Sequence, residues 1–193
     1  RKESSAASDV YKRQGILLGG IPGVKRGRVV ILGGGVVGFN AAKIASGIGA
    51  STTILDISQE RLAYLDDIFG SSVQTLFSND ANIESEIANA DVVIGSVYVH
   101  GASAPKLIRK THLKSMKKGA VLVDVAIDQG GCFETSKATT HDKPIYDVDG
   151  IVHYCVANMP GVVPQTSTVA LNNQTLRYGL EIASGISPDK YND

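Results

Sequence analysis

The sequence predicts an α/β protein: an open, doubly wound parallel sheet, followed by a helical C-terminal piece. Three observations carry that reading. Short β-rich runs alternate with helical segments along most of the chain. The first run is short and β-rich, with Val29 to Leu32 continuously apolar, as a buried parallel strand should be. A glycine-rich turn joins that run to the first helix. At 193 residues, 43% of them apolar, the chain can bury a sizeable core in one domain or in a domain plus part of another.

The elements follow in order. "RVVILG" (Arg28 to Gly33) is the first strand. "VVGFNAAKIASGIG" is a helix rich in Ala and Ser, closed by Gly47 and Gly49. "STTILD" (Ser51 to Asp56) is the second strand. A helix spans Ser58 to Gly70, with Ser58 as N-cap, Leu62 and Leu65 on one face, and Gly70 as the stop. "VQTLFS" is a third strand, and the short helix "NIESEIANA" leads to a fourth, Asp91 to Val99. "APKLIRKTHLKSM" is helical or looped. Ala120 to Ile127 is a fifth strand and Gly150 to Asn158 a sixth. "MPGVVP" then breaks the pattern as a linker. Thr166 to Gly185 is a last helical stretch with no strand after it. The expected division is an α/β domain over 15–163 and a further piece over 164–193.

Residues 1–14 fit none of this. Ser4 to Gln14, "SSAASDVYKRQ", coincides with the in-frame translation of a transposon-based sequencing adapter. The segment is read as foreign and disordered, with natural sequence starting near Gly15 and an N-terminal part missing.

Composition narrows the partners. Nineteen basic residues balance 19 acidic ones, so no broad field draws nucleic acid or an anionic membrane. No apolar run approaches the ~20 residues of a membrane span. Cys132 and Cys155 form no C-x-x-C pattern and read as buried free thiols of a reducing cytoplasm, with no metal site. His100, His112, His141 and His153 read as surface or loop residues. The basic run Lys106 to Lys118 reads as a solvated helix face, because it lacks the interleaved aromatics of a nucleic-acid surface.

The turn after the first strand is Gly33-Gly34-Gly35-Val36-Val37-Gly38, a G-x-G-x-x-G. It follows a strand, opens a helix, and has an acid, Asp56, ending the next strand; that conjunction marks a dinucleotide site. Gly33 permits the tight turn, Gly35 lets a pyrophosphate approach the backbone, and Gly38 lets helix and strand pack closely. The helix N-terminus adds unpaired N–H groups and partial positive charge. Asp56 accepts from ribose hydroxyls and repels a 2′-phosphate, favouring NAD over NADP, although Arg61 could relieve that repulsion. "VDVAIDQGGCFE" (Val123 to Glu134) leaves the fifth strand directly into a polar loop, and Asp128 there sits where ligands bind in open α/β sheets. Its spacing alone fits a turn-capping carboxylate equally well, and Asn158 before its Pro turn fits a structural role better.

Beyond these motifs, "VILGGGVVGFNAAKIASGIGA", "MKKGAVLVDVAIDQGGCFETSKATTH" and "VHYCVANMPGVVPQTSTVALNN" resemble the alanine dehydrogenase and NAD(P) transhydrogenase alpha-subunit family, with alanine dehydrogenase itself the better fit. The resemblance runs from about Gly15 to Tyr178. It implies a Rossmann-type domain of an enzyme that oxidises L-alanine to pyruvate and ammonium with NAD. It places Val36 and the glycine loop at the pyrophosphate, Asp56 and Arg61 at the adenosine ribose, and Ser78 beside adenine. Val97 and Tyr98 would line the cleft. Val125, Ala126, Ile127 and Asp128, with Val156, Ala157, Asn158 and Met159, would border the nicotinamide. Asp128 would be catalytic, positioning the water that attacks the imine, and Asn158 would orient the substrate. Lys137 stands where the family usually has Arg; Tyr98 and His100 replace a small apolar residue and Pro. The family's catalytic His and its substrate-gripping Arg and Lys would lie upstream of Gly15, so the chain alone is expected to be inactive. The resemblance also implies a cytoplasmic homo-oligomer, often a hexamer. Two rivals remain: the NAD-binding subunit of a proton-translocating transhydrogenase, whose loop reads "AEQGGN" against "AIDQGGC" here, and a non-catalytic NAD-sensing module.

Overall fold

A computed structural model describes residues 15–97, 99 and 104–185. The sequence readings at Tyr98, at His100 and over residues 1–14 lie outside them. The chain divides into two compact units, one through Ala157 and one from Asn158.

The first unit holds the sheet. Its elements are β1 (Arg28–Leu32), α1 (Val36–Gly47), β2 (Ser51–Asp56), α2 (Gln59–Phe69), β3 (Val73–Phe77), α3 (Asp80–Ala88), β4 (Val92–Gly95), β5 (Val121–Asp124), β6 (Ile145–Val148) and β7 (Ile151–Tyr154). The sheet order is β3-β2-β1-β4-β5-β7-β6. Every neighbouring pair is parallel except β6 with β7. The chain winds outward from β1 to β3, then crosses back to place β4 on the other side of β1. That reversal opens a crevice beyond the carboxyl ends of β1 and β4. Leu32 pairs with Gly95, and Gly95 with Asp124, so the loops after β1, β4 and β5 leave the sheet at one level.

Side-chain alternation explains the double winding. Val29 and Ile31 of β1 face Ala42 and Ala45 of α1 and Leu65 of α2. Val30 and Leu32 face the opposite layer, with Ile83 and Ile87 of α3 and with Leu113. These four β1 residues are at most 1% exposed. Burying each such side chain is worth roughly 1.5–3 kcal/mol, enough to fix the strand's register.

The predicted Ser58 cap is present: its Oγ accepts from the Arg61 backbone N–H at 3.2 Å. Asn79 caps α3 in the same way, accepting from Asn82 N–H at 2.8 Å. The segment that read as helical or looped, 104–116, forms only a short 3-10 turn, Lys110–Lys114.

Two readings need correction. The sheet has a seventh strand, β6, antiparallel at the edge and joined to β7 by Asp149-Gly150. Asp149 (φ 53°) and Gly150 (φ 79°) both adopt the left-handed conformation that a two-residue hairpin demands. Two histidines are not surface residues. His112 is nearly buried, its Nε2 3.2 Å from Glu84. His153 is fully buried in β7, where it stacks on Tyr146 at 4.9 Å. Its Nδ1 lies 3.0 Å from the Ile151 carbonyl, which can only accept, so Nδ1 carries the proton. Nε2 then accepts from the Thr135 hydroxyl at 2.7 Å. Burial lowers the pKa of this imidazole. Both cysteines are buried and free. Burial, followed by the charge of Asp124, pushes the Cys132 thiol far above its usual range.

The second unit begins with Asn158 in the left-handed region (φ 53°), before the 3-10 turn Met159–Val162. Its helix, α4, spans Pro164–Ala183 and opens with Pro in the first turn, where a missing N–H costs nothing.

Candidate functional site

The glycine loop is built by close approach. Gly33 has φ 99°, and a Cβ there would meet the Ser96 carbonyl at 3.0 Å. A Cβ on Gly38 would run into the Gly33 carbonyl oxygen, so helix α1 can sit this near β1 only without a side chain. Gly35 differs: a Cβ there would meet nothing within 4 Å. Its φ is −63°, a value open to any residue. The fold gives no reason for glycine at position 35, whereas a ligand lying against this backbone does.

Helix α1 starts at that glycine with no side-chain cap, unlike α2 and α3. It has no acid in its first turn either. Its leading N–H groups and the positive end of its dipole are left to an anion.

Asp56 ends β2 beside this loop. Oδ2 accepts the Gly34 N–H at 2.6 Å, and Oδ1 accepts the Ser58 N–H at 2.8 Å. Each carboxylate oxygen has about two acceptor positions, so one on each stays available to a ribose hydroxyl. Arg61 stands against the same loop. Its Nε–H donates to the Gly34 carbonyl at 2.5 Å, and its guanidinium lies 4.7 Å from the Tyr64 ring centre. The Nε–H bond braces the loop.

Above the strand ends lies a cleft of about 550 Å³. It gathers the predicted Gly33, Gly35, Val36, Val37, Asp56, Ser78 and Val97. A smaller hollow of about 190 Å³ shares Val37, Ser96 and Val97 with the cleft and adds Val125, Ala126, Asp128 and Gln129. The loop after β1 and the loop after β5 therefore wall one continuous crevice. Asp128 is exposed in the 3-10 turn Val125–Gln129, and among the described residues its carboxylate has no hydrogen-bond partner. Val36, 78% exposed, and Ile57, 74% exposed, present bare apolar surface to the cleft. An open backbone at Gly35, an uncapped helix, spare acceptors on Asp56 and apolar walls together fit a dinucleotide.

The remaining sequence candidates are placed differently. Ile127 turns into the core at 8% exposure. Val156 is fully buried and bridges Thr139, and Ala157 N–H donates to the Thr139 carbonyl at 3.1 Å. Lys137 is exposed and lines neither hollow; its backbone N–H donates to the Tyr146 hydroxyl at 2.7 Å. Asn158 and Met159 belong to the second unit. Sequence reasoning missed Ile57, Ser96, Val99, Pro105, Leu107 and Gln129. Ser96 was within reach, because it follows β4 directly and its hydroxyl lies 2.9 Å from the Gly33 carbonyl.

Comparison with known proteins agrees with this geometry. The family described as "Alanine dehydrogenase/PNT, C-terminal domain" matches residues 4–190. Alanine dehydrogenase 2 of Staphylococcus aureus strain USA300 is 58% identical over 171 residues, which cover 88% of this chain and 46% of that protein. A solved L-alanine dehydrogenase superposes with a TM-score of 0.86 at 55% identity, over 90% of this chain and 48% of that one. A transhydrogenase from Sinorhizobium meliloti shares the fold, with a TM-score of 0.74 at 24% identity over 94% of this chain and 52% of that one. The chain thus spans about half the length of the relatives it matches. The uncapped glycine loop, its acid and the match over residues 4–190 lead to one conclusion: the chain belongs to the alanine dehydrogenase/PNT C-terminal domain family.

Proposed function

We propose that this chain is the NAD-binding half of an L-alanine dehydrogenase. The reaction is L-alanine, NAD⁺ and water giving pyruvate, ammonium, NADH and a proton, and it runs in both directions. The observation that carries the reading is the 58% identity to alanine dehydrogenase 2 over 88% of the chain. The transhydrogenase likeness, at 24%, speaks for the fold alone.

NAD, when bound, supplies the hydride acceptor; the chain's own residues hold and orient it. The N–H groups opening α1, with Gly33, Gly35, Val36, Val37 and Gly38, receive the pyrophosphate. Asp56 accepts from the adenosine ribose, Arg61 braces the loop behind it, and Ser78 lies toward adenine. Val97 lines the cleft between the two ends. Val125, Ala126 and Asp128, which line the smaller hollow, border the nicotinamide. Asp128, exposed and without a hydrogen-bond partner among the described residues, positions the water that attacks the oxidised substrate carbon. The groups that grip the alanine carboxylate and move its proton are assigned to the half of the relatives' length outside the match. The nucleotide domain is assigned to 15–163 and a segment of a substrate domain to 164–193. The assembled enzyme is a cytoplasmic homo-oligomer, a hexamer by family analogy, with neither nucleic acid nor membrane as partner. No helix of the described residues is long and apolar enough to cross a membrane.

Two measurements test this. NADH titrated into the chain should show saturable enhancement of nicotinamide fluorescence; its absence overturns the cofactor assignment. The chain alone should form no NADH from L-alanine and NAD⁺, while a protein extended to the relatives' full length should. Turnover by the chain alone, or none by the extended protein, overturns the division of labour.

A further inference from the structure

The crevice has two walls, and the second hangs on a residue that touches no ligand. Asp124, the last residue of β5, is 0% exposed. Its Oδ1 accepts the Ala126 N–H at 3.1 Å, at the start of the loop that carries Asp128. Its Oδ2 accepts the Cys132 N–H at 2.9 Å, where that loop ends, and also accepts from the Ser136 hydroxyl. One carboxylate thus ties both ends of the segment between residues 125 and 132. Gly131, at φ 76°, closes the turn so near that a Cβ would meet Asp124 Oδ2 and Ser136. The tie is not replaceable by ordinary ladder bonds, because β5 has ended; the Gly130 and Gly131 amides donate within the loop, and those of Ala126 and Cys132 donate to the carboxylate. A buried carboxylate without those donors would be costly, so acid and loop conformation require each other.

We infer that Asp124 is a positioning residue for the nicotinamide end of the crevice: its buried carboxylate clamps both ends of the Asp128 loop, and so sets where Val125, Ala126 and Asp128 stand. The inference rests on the NAD reading above. It predicts an effect confined to one half of the dinucleotide, because Asp56 and the glycine loop are held by other bonds. Asp124→Asn keeps the size of the side chain, but either orientation of its amide aims an NH₂ at a backbone N–H, that of Ala126 or that of Cys132.

The test uses the 193-residue chain with two probes, NADH and ADP-ribose, which has the adenosine and pyrophosphate but no nicotinamide. In D124N, ADP-ribose affinity should stay within about twofold of the parent, while NADH affinity falls about tenfold and the nicotinamide fluorescence enhancement disappears. Ser136→Ala, which removes one donor and keeps the acid, should shift both NADH readouts the same way by a smaller factor. Loss of both ligands together in variants with a native circular dichroism spectrum would make Asp124 a general structural residue and overturn the inference. So would unchanged NADH binding. A ligand-free measurement separates this inference from the NAD reading. Amide exchange at Ala126 and Cys132 should rise about tenfold in D124N, or in S136A should D124N not fold, with Gly34 unchanged. If the parent binds neither probe, the cofactor reading fails, and the exchange result alone decides whether the clamp exists; unchanged exchange overturns it.

Discussion

The two loops that wall the crevice are built on opposite plans. The loop after β1 is shaped by missing side chains: Gly33 and Gly38 let backbone meet backbone, and the first amides of α1 are left without a side-chain cap. The loop after β5 is shaped by an added charge, with the Asp124 carboxylate holding amides at both ends of the turn. The difference fits the role proposed for each wall. A surface that receives a pyrophosphate needs free donors, so its conformation must be enforced by sterics. A surface that holds reacting atoms in place needs its own donors satisfied, so its conformation is enforced by hydrogen bonds.

Glycine substitutions are the strongest way to break this contrast. Gly38→Ala puts a Cβ against the Gly33 carbonyl, and neither backbone can yield cheaply. We expect a loss of about 1–3 kcal/mol in denaturant unfolding, with NADH binding lost alongside. Gly35→Ala meets nothing within 4 Å. It should lower stability by less than about 1 kcal/mol, the scale of an N-cap change, yet weaken NADH binding by about tenfold or more. Equal damage to stability from both would show that Gly35 is structural and not a ligand position.

Asp56 sharpens the comparison, because the acid that holds its loop is also the one proposed to meet the ribose. Asp56→Ser removes the charge that opposes a 2′-phosphate while Arg61 stays tied to Gly34. The ratio of NADPH to NADH dissociation constants should fall by about tenfold, the scale of one unit charge at a few ångströms near a surface. A ratio left unchanged would mean that shape, not charge, selects the cofactor.

The smallest effect lies behind the β5 wall. Burial lowers the pKa of His153, so the folded state binds this proton less readily than the unfolded chain. The unfolded state then holds more protons as pH drops below about 6.5, and stability should fall by up to ~1.4 kcal/mol per pH unit until the folded imidazole titrates. His153→Gln should flatten the fall in Tm between pH 7 and 5 relative to the parent. An identical slope would show that other groups govern the acid limb.

What the sequence disclosed follows from range. Gly33, Gly35, Gly38 and Asp56 were legible because the constraint is local: a tight turn, an open backbone, an acid at the next strand end. The strands were legible because burial on both faces leaves apolar runs. Strand β6 was spelled out by Asp149-Gly150, a hairpin signal hidden by the expectation of a purely parallel sheet. The burial of His153 had no local signature, since its partners Thr135 and Tyr146 come from other segments. Nor did Asp124, whose role depends on Cys132 and Ser136 folding back over it.

The bare apolar surface of Val36, Ile57 and their neighbours has a calorimetric consequence. Water ordered over those side chains must leave when the cleft fills, and its release carries a negative heat-capacity change. The enthalpy of NADH association should therefore grow more favourable with rising temperature while the affinity drifts little. The wall of valine and isoleucine makes heat, more than affinity, the sensitive gauge of how completely the cleft has closed around its occupant.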